Sequence, residues 1–304
     1  MTLVGRAVRS VARSRWVNSP LQGIAAAKGH GLILVYHRIG PPKAGAVPTI
    51  SEGTFATQVR LLKELGSVVD PGRLLRTPAA GEIRFALTFD DDYRSHLERV
   101  VPILRREGVT GTFFLSGRSL FGLGPYPFEV LDHLLRSRSV EAVARDLGVK
   151  AENVDHLLEA LMSDPDVAER AAATADFPPD LLGRQEMAQL AAAGMKLGFH
   201  TLLHTELLSL PDEQLRDAVH RGRNELSEAT GSVVDLFAYP YGRGDSRTAM
   251  AVRQAGYSAA FTGTPGPVVP GTDPYLAPRW EPGPLDEKDF VAEIVIRLLR
   301  RARA

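Results

Sequence analysis

The chain contains no cysteine among its 304 residues. Disulfide bonds and thiolate metal sites are therefore excluded, although a cysteine-free protein is compatible with oxidising and reducing compartments alike. An excess of charge is also absent, because 36 Lys and Arg residues balance 36 Asp and Glu residues. This balance gives no support to nucleic-acid binding, which depends on a basic surface. We therefore expect no nucleic-acid partner.

Long apolar runs are missing as well. No segment of the sequence approaches the roughly 18 apolar residues of a membrane span. The N-terminal region also lacks the apolar core and the cleavage site of a signal peptide. These absences predict a cytoplasmic protein without a transmembrane helix.

The two ends of the chain are basic. Residues 1–30 form a basic N-terminal segment, and the first acidic residue is Glu52. Residues 286–304 have the pattern of an amphipathic helix that ends in several arginines. Either end could make peripheral contact with an anionic membrane surface. We prefer the simpler interpretation of a solvated basic tail and a docked closing helix. The oligomeric state is not predicted.

Strand-like apolar segments alternate with helical segments between these ends. Repeated strand–helix alternation predicts an α/β fold with a parallel sheet or a barrel. Polar motifs at strand ends favour the barrel, whose active sites lie at the carboxyl ends of the strands. We therefore predict a distorted (β/α) barrel with fewer than eight regular units over residues 31–285. The predicted strands are 31–37, 83–89, 111–115, 196–199, 236–239 and 257–262, and the predicted helices are 51–65, 93–107, 183–193, 211–230 and 246–255.

Residues 118–182 interrupt this rhythm. The segment is rich in Ala, Leu, Asp and Glu, and it has Gly and Pro residues at its start and a Pro pair at its end. This composition predicts a helical insertion bounded by turns. Because it follows a strand directly, its base should lie near the mouth of the site, where it could be a lid, an interface or a specificity element.

Two short segments carry most of the chemistry. Asp90, Asp91 and Asp92 follow an apolar run that indicates a buried strand, so carboxylates lie at the strand's mouth. His200 and His204 are four residues apart, a spacing that puts both imidazoles on one face of a helical turn. One carboxylate and two imidazoles form a three-ligand set for a divalent metal and leave a position open. Such a site belongs to a metal-assisted hydrolase. Each element alone is weak, since Asp pairs often cap helices and buried histidines are often structural.

A third segment, residues 237–242, is again a strand followed by a Pro/Gly turn. A tight turn at a strand end can direct a backbone N–H at a developing oxyanion. The alternative is an aromatic-lined loop that only packs.

The three segments resemble the motifs of the polysaccharide deacetylase family (carbohydrate esterase family 4, with its NodB-like homology domain). Thr88-Phe89-Asp90-Asp91-Asp92 is similar to Thr-Phe-Asp-Asp-Gly, and His200-Thr201-Leu202-Leu203-His204 is similar to His-(Ser/Thr)-x-x-His. Ala238-Tyr239-Pro240-Tyr241-Gly242 is similar to Arg-x-Pro-Tyr-Gly. The motifs occur in the family's order, and the resemblance extends from about residue 32 to about residue 280.

This resemblance implies a role for each matched residue. Asp90 would be the catalytic base, and the backbone N–H of Tyr241 would help to hold the oxyanion. The metal would be one divalent ion, zinc in the first instance, with cobalt or nickel able to occupy the same donors. Its ligands would be Asp91, His200 and His204. The implied substrate is an N-acetylated sugar in a glycan or glycolipid.

The chain departs from the family's pattern at two motif positions. Asp92 replaces a glycine, so any special backbone geometry there would have to be tolerated by Asp. Ala238 stands where relatives have an arginine that pairs with the catalytic base. We expect Arg279 or Arg94 to supply this charge, with Trp280, next to Arg279, in a supporting position at the substrate.

The family's C-terminal Leu-x-His motif, the source of its general acid, is also missing, because no histidine follows His220. His37 ends the first predicted strand, and the first and last strands of a barrel are neighbours. The chain therefore resembles the branch that acts on poly-N-acetylglucosamine, in which circular permutation moves the acid histidine to the N-terminal strand. We expect His37 to be this acid; a buried histidine bonded to the backbone is the alternative.

Three functions remain open at this stage. The leading hypothesis is a metal-dependent N-deacetylase of an N-acetylated sugar. A related enzyme could remove O-acetyl groups or hydrolyse a non-sugar amide. A non-catalytic glycan-binding module is favoured only by the missing third-motif arginine, because the three implied metal ligands are all present.

Overall fold

Parallel strands form the centre of the molecule. The computed structural model describes residues 31–41, 49–76, 81–175 and 180–299. The strands in this part of the chain are β1 (Gly31–Tyr36), β2 (Arg38–Ile39), β3 (Thr49–Ile50), β4 (Ser67–Val68), β5 (Arg84–Asp90), β6 (Thr112–Leu115), β7 (Lys196–Phe199), β8 (Leu236–Ala238) and β9 (Ala259–Phe261). Seven of them form a parallel sheet with the order β1-β5-β6-β7-β8-β9, in which β4 is also paired to β5. A separate two-stranded sheet joins β2 to β3.

An irregular segment, residues 277–281, closes this sheet and is called the closing segment below. Ala277 forms a parallel bridge with Phe261 of β9, and Trp280 forms a parallel bridge with Leu34 of β1. The segment therefore lies between the last and the first strand. This arrangement confirms the predicted distorted barrel. It also brings residues after 276 to the end of β1.

Helices surround the sheet. The barrel helices are α1 (Glu52–Leu65), α2 (Pro71–Arg76), α3 (Val101–Glu107), α8 (Arg184–Ala192), α9 (Asp212–His220), α10 (Arg223–Thr230) and α11 (Ser246–Gln254). The C-terminal helix α12 (Glu287–Leu299) packs on α1 and β1. Of the predicted basic ends, residues 1–30 and 300–304 lie outside the described residues, so membrane contact through them stays a prediction. Among the described helices, none is both long and apolar enough to cross a membrane.

Local sequence signals explain where α1 begins and ends. The Ser51 hydroxyl accepts a hydrogen bond from the Thr54 N–H, which satisfies a free donor of the first turn. Gly66 ends the helix where the chain passes close to β5. A Cβ atom at this position would lie 2.1 Å from the Ile83 carbonyl oxygen, so only glycine fits.

Two predicted helices differ from the observed ones. The helix expected over 211–230 is divided into α9 and α10, because Gly222 adopts a left-handed conformation with φ 93°. The helix expected over 93–107 begins with a π-helical turn, His96–Val100, before α3.

The segment between β6 and α8 holds a 3₁₀ turn and four helices. These are Arg118–Phe121, followed by α4 (Pro127–Leu135), α5 (Val140–Leu147), α6 (Val154–Ser163) and α7 (Pro165–Ala175). The four helices share their own apolar cluster, which is separate from that of the barrel. It includes Val130, Val143, Leu157 and Ala171.

Candidate metal centre and active site

Strand β5 carries three consecutive buried carboxylates to the rim of the barrel. Asp90 is its last residue, and Asp91 follows in a left-handed conformation with φ 74°. This backbone region is unusual for a residue other than glycine and marks a constrained position. The turn directs consecutive side chains to different neighbours, so the three aspartates have different environments.

Asp92 is a structural residue. Its carboxylate accepts hydrogen bonds from the backbone N–H groups of Ser116, Gly117 and Arg118, at 2.8, 3.2 and 3.0 Å. The special backbone geometry expected at this non-glycine position falls one residue earlier, on Asp91. Asp92 therefore replaces the family's glycine by using its side chain to tie β5 to the loop after β6.

The two predicted histidine ligands lie on an irregular loop after β7, so the helical turn assumed for them is wrong. Thr201 and His204 both have positive φ angles, 61° and 54°. These two left-handed residues, rather than helical periodicity, bring the imidazoles together, with ring centroids 4.9 Å apart. The His200 Nδ1–H donates to the Ala238 carbonyl oxygen at 2.8 Å, which leaves Nε2 free as a ligand.

Asp91, His200 and His204 form a donor set that fits a divalent cation. The Asp91 Oδ1 atom lies 3.8 Å from His200 Nε2 and 3.5 Å from His204 Nε2. Ligands of a tetrahedral zinc ion lie about 3.3–3.6 Å from one another, given zinc–ligand distances of about 2.0–2.2 Å. The same Oδ1 atom is buried without a hydrogen-bond partner among the described residues. A cation between the three groups would satisfy it.

The protonation states suit this role. Burial lowers the pKa of His200 to about 4 and that of His204 well below its ordinary value, so both imidazoles are neutral near pH 7. Burial also raises the pKa of Asp91 to about 7. A bound cation favours the deprotonated form of its ligands.

Asp90 is paired with Arg279. The guanidinium donates two parallel hydrogen bonds to the carboxylate, from Nη1 to Oδ1 and from Nη2 to Oδ2, both at 2.6 Å. Arg279 comes from the closing segment, is 1% exposed, and also donates from Nε to the Thr262 carbonyl oxygen. Burial would raise the pKa of Asp90, but Arg279 and then His200 hold it well below its ordinary value. Asp90 is therefore ionised.

The structure places the other two expected supporting residues away from the site. Arg94 donates to the Leu181 carbonyl oxygen and pairs with Glu186 at 3.5 Å, because it points from the rim toward α8. The Trp280 ring is 3% exposed and stacks on Phe290 of α12. Of the expected residues, Arg279 reaches Asp90, whereas Trp280 belongs to the core.

His37 lies at the end of β1 and faces the same cavity. Its Nδ1 atom is 2.9 Å from Glu281 Oε1, a partner that the sequence analysis did not identify. Burial opposes the charged ring, but the hydrogen bond and charge of Glu281, with the charges of Asp91 and Asp90, raise the pKa of His37 to about 9. His37 is therefore protonated at neutral pH.

The remaining part of the rim is aromatic. Tyr241 follows β8 in a left-handed conformation with φ 57°, and its side chain is exposed. Its ring meets that of His204 at 4.7 Å, and Phe128 of α4 lies 5.2 Å from the same imidazole. Phe128 was also missed, because nothing in the local sequence separates it from the apolar residues of α4.

A cavity of about 470 Å³ unites these groups. It holds a carboxylate pair, two neutral imidazoles, a protonated histidine and an exposed turn. This arrangement can hold a cation, accept a proton at Asp90 and deliver one from His37. The lining residues are Val35, His37, Asp90, Asp91, Phe128, His200, His204, Tyr241, Gly242, Gly263, Arg279 and Glu281.

In a comparison with protein families, residues 78–260 match the family described as polysaccharide deacetylase. Among curated proteins, YxkH of Bacillus subtilis (strain 168) is 21% identical over 239 residues, which cover 77% of this chain and 64% of YxkH. The chain thus spans less than two thirds of that relative's length.

Solved structures share the fold. The Streptococcus pyogenes deacetylase PplD, in complex with acetate, is 16% identical with a TM-score of 0.61, covering 87% of this chain and 97% of PplD. IcaB from Ammonifex degensii is 22% identical with a TM-score of 0.58, covering 89% of this chain and 97% of IcaB. At these identities the likeness establishes the common architecture.

Proposed function

We propose that this chain, which belongs to the polysaccharide deacetylase family, is a metal-dependent hydrolase that removes N-acetyl groups from an N-acetylated sugar in a glycan or glycolipid. The observation that carries the proposal is the position of His37. A protonated histidine shares one cavity with an ionised Asp90 and with a three-residue cation site. Metal-assisted amide hydrolysis uses such a set: a cation that polarises the carbonyl, a base for the water and an acid for the leaving nitrogen.

The cation site consists of Asp91, His200 and His204, and its nitrogen and oxygen donors suit zinc, with cobalt or nickel as alternatives. When bound there, such an ion lowers the pKa of a water molecule to about 7 and polarises the acetamide carbonyl. The remaining chemistry belongs to the protein's own side chains and backbone.

Asp90 acts as the general base and accepts a proton from the attacking water. Arg279 keeps this carboxylate ionised and fixes its orientation through both oxygens. The water oxygen forms a bond to the acetyl carbon, and the Tyr241 N–H donates to the oxygen that becomes negative. The C–N bond then breaks.

His37 supplies the proton that the leaving nitrogen needs. An amine leaves poorly as an anion, so the donor must be protonated before the bond breaks. Glu281 keeps His37 in this state. The products are acetate and a free amine on the sugar. An alkoxide is a better leaving group and needs less assistance from an acid, so the presence of the His37–Glu281 pair supports an N-acetyl substrate.

Acetate release from a panel of acceptors tests this function. The panel contains N-acetylglucosamine oligosaccharides, an N-acetylated sugar-lipid and an O-acetylated xylan oligosaccharide. We expect zinc-loaded protein to release acetate from N-acetylated acceptors with an equal amount of new amine, and chelator-treated protein to release none. Release only from the O-acetylated acceptor would show an esterase instead, and glycan binding without release would show a binding module.

A further inference from the structure

We infer that Phe128, which belongs to the helical insertion, is a specificity-determining residue that packs against the sugar ring of the acceptor. The inference rests on the proposed function and adds to it the surface that recognises the sugar. The insertion thereby becomes part of the substrate site.

The position of Phe128 is fixed by its contact with Tyr126. Tyr126, two residues earlier, is fully buried, and its hydroxyl accepts from the Asp92 N–H and donates to Ser116 Oγ. The Phe128 ring stacks on the Tyr126 ring at a centroid distance of 5.3 Å. The first turn of α4 is therefore anchored to the same backbone that presents the metal ligand Asp91.

Packing alone does not account for Phe128. Among the described residues, it belongs neither to the apolar cluster of the insertion nor to the clusters of the barrel. It is only partly buried and lines the cavity that contains Asp90 and His37. A large aromatic side chain is thus held at the mouth of the site by buried hydrogen bonds of its neighbour, and one side of it remains open.

The chemistry of the cavity indicates what this ring contacts. Phe128 and the exposed Tyr241 lie at 6.4 Å in an edge-to-face arrangement, and together they form an aromatic wall beside the cation site. The part of the rim from β1 and the closing segment carries His37, Arg279 and Glu281. A pyranose ring has apolar C–H faces and polar edges, which match an aromatic wall beside a charged wall. The wall would therefore orient the ring whose acetamide reacts.

Substitution of Phe128 tests this inference with two substrates. One is an N-acetylglucosamine pentasaccharide, and the other is 4-nitrophenyl acetate, which offers an acetyl group without a sugar. We expect Phe128→Ala to lower kcat/KM for the pentasaccharide about 10-fold more than kcat/KM for 4-nitrophenyl acetate, mainly through KM. Phe128→Trp should retain the wild-type ratio, and Phe128→Leu should resemble the alanine variant.

Phe121→Ala is the matched control, because Phe121 is an exposed phenylalanine at the base of the insertion and does not line the cavity. Zinc affinity, measured by competition with a chromophoric chelator, is the second readout and should change less than about 3-fold in Phe128→Ala. An unchanged substrate ratio in this variant overturns the inference. An equal fall in kcat/KM for both substrates, together with a fall in zinc affinity, also overturns it, because Phe128 would then only support His204. If Phe128→Leu keeps the wild-type kcat/KM for the pentasaccharide, an aromatic ring is not needed at this position and the inference fails.

The failure of the inference differs from the failure of the proposed function. If the wild-type protein released no acetate from any N-acetylated acceptor, the function itself would be wrong. If the wild-type protein is active and Phe128→Ala keeps its substrate ratio, only the role of Phe128 is wrong.

Discussion

At the scale of single residues, Asp90 differs from Asp91 in its partners. The Asp90 carboxylate accepts hydrogen bonds from Nη1 and Nη2 of Arg279. Asp91 instead faces two imidazole nitrogens and has an oxygen without a hydrogen-bond partner in the described structure. The first carboxylate is held ionised and the second is available to a cation. Two adjacent and chemically identical side chains therefore have different partners and separate proposed roles.

Replacing Asp90 by Asn separates these roles. The amide cannot accept the water proton, so we expect kcat to fall about 10²–10⁴-fold, the usual contribution of a general base. Zinc binding should be retained, because Asp90 is not among the three ligands. Steady-state kinetics and zinc titration check the two results. A variant with near-normal kcat would remove Asp90 from the mechanism.

Glu281 raises the pKa of His37, the proposed acid. Without its hydrogen bond and charge, burial would lower the pKa of His37 from about 9. The acid must be protonated, so activity is lost as pH rises through the pKa of His37. We therefore expect Glu281→Gln to shift the alkaline limb of the pH profile of kcat/KM to lower pH.

The control for Glu281 is Glu287→Gln on α12, whose side chain is exposed. It should keep the wild-type alkaline limb. If Glu281→Gln keeps that limb as well, the group that titrates is not His37.

Local patterns were sufficient to find the aspartates, the histidine pair and His37, because each directly follows an apolar strand. They were not sufficient to choose between Arg279 and Arg94. The pairing of Arg279 with Asp90 spans 189 residues and depends on barrel closure. Glu281 was missed for the same reason. Its position two residues after Arg279 becomes informative only when the closing segment is known to lie beside β1.

At the scale of elements, the turn after β5 holds the site together. Asp92 accepts three backbone N–H groups from the start of the loop after β6, and its own N–H donates to Tyr126 of the insertion. One residue thus connects the end of a strand, a loop and the start of a helix. Each of these elements contributes to the cavity or to its support.

Removing this carboxylate should destabilise the protein. Asp92→Ala leaves buried N–H groups without acceptors, each costing about 1–3 kcal/mol, so we expect the free energy of unfolding to fall by about 3 kcal/mol or more. Asp92→Asn keeps one acceptor oxygen and should lose less. Urea denaturation measures both.

Asp132→Ala is the control for this series. It removes an exposed i,i+4 pair between Asp132 of α4 and Arg136, the C-cap residue of that helix, which is worth about 0.5 kcal/mol. Equal losses for Asp92→Ala and Asp132→Ala would show that the Asp92 hydrogen bonds contribute little.

Most elements could be predicted from the sequence pattern, because the barrel strands are short apolar runs bounded by turns. The places where helices and loops are interrupted could not be predicted in this way. The break at Gly222 and the irregular His200–His204 loop depend on single residues with positive φ angles. Thr201 and His204 carry no sequence signal for that conformation, since tertiary contacts impose it.

At the scale of the whole molecule, the segment that closes the barrel also completes the site. The closing segment pairs with β9 and β1, and in doing so it delivers Arg279 to Asp90 and Glu281 to His37. The proposed base and the proposed acid each have their charged partner in a segment that follows the last strand. The insertion adds its own core on the outside and reaches the cavity through α4.

A cation that binds only the folded chain must stabilise it. At a free zinc concentration about 100 times the dissociation constant, the gain is about 2.7 kcal/mol. For a chain of this size we expect Tm to rise by about 4 °C. Differential scanning calorimetry checks this, and His204→Ala, which removes one ligand, should abolish the rise. An equal rise in that variant would place the stabilising ion elsewhere.

The most direct test of the account is the dependence of acetate release on bound zinc. Metal-stripped protein is titrated with zinc while acetate release from an N-acetylglucosamine oligosaccharide and metal content are measured on the same samples. We predict that activity rises linearly to one zinc ion per chain and then stays constant, and that Asp91→Ala and His204→Ala show no such rise. Full activity in the metal-stripped protein, or an unchanged titration in both variants, would contradict a catalytic ion held by Asp91, His200 and His204.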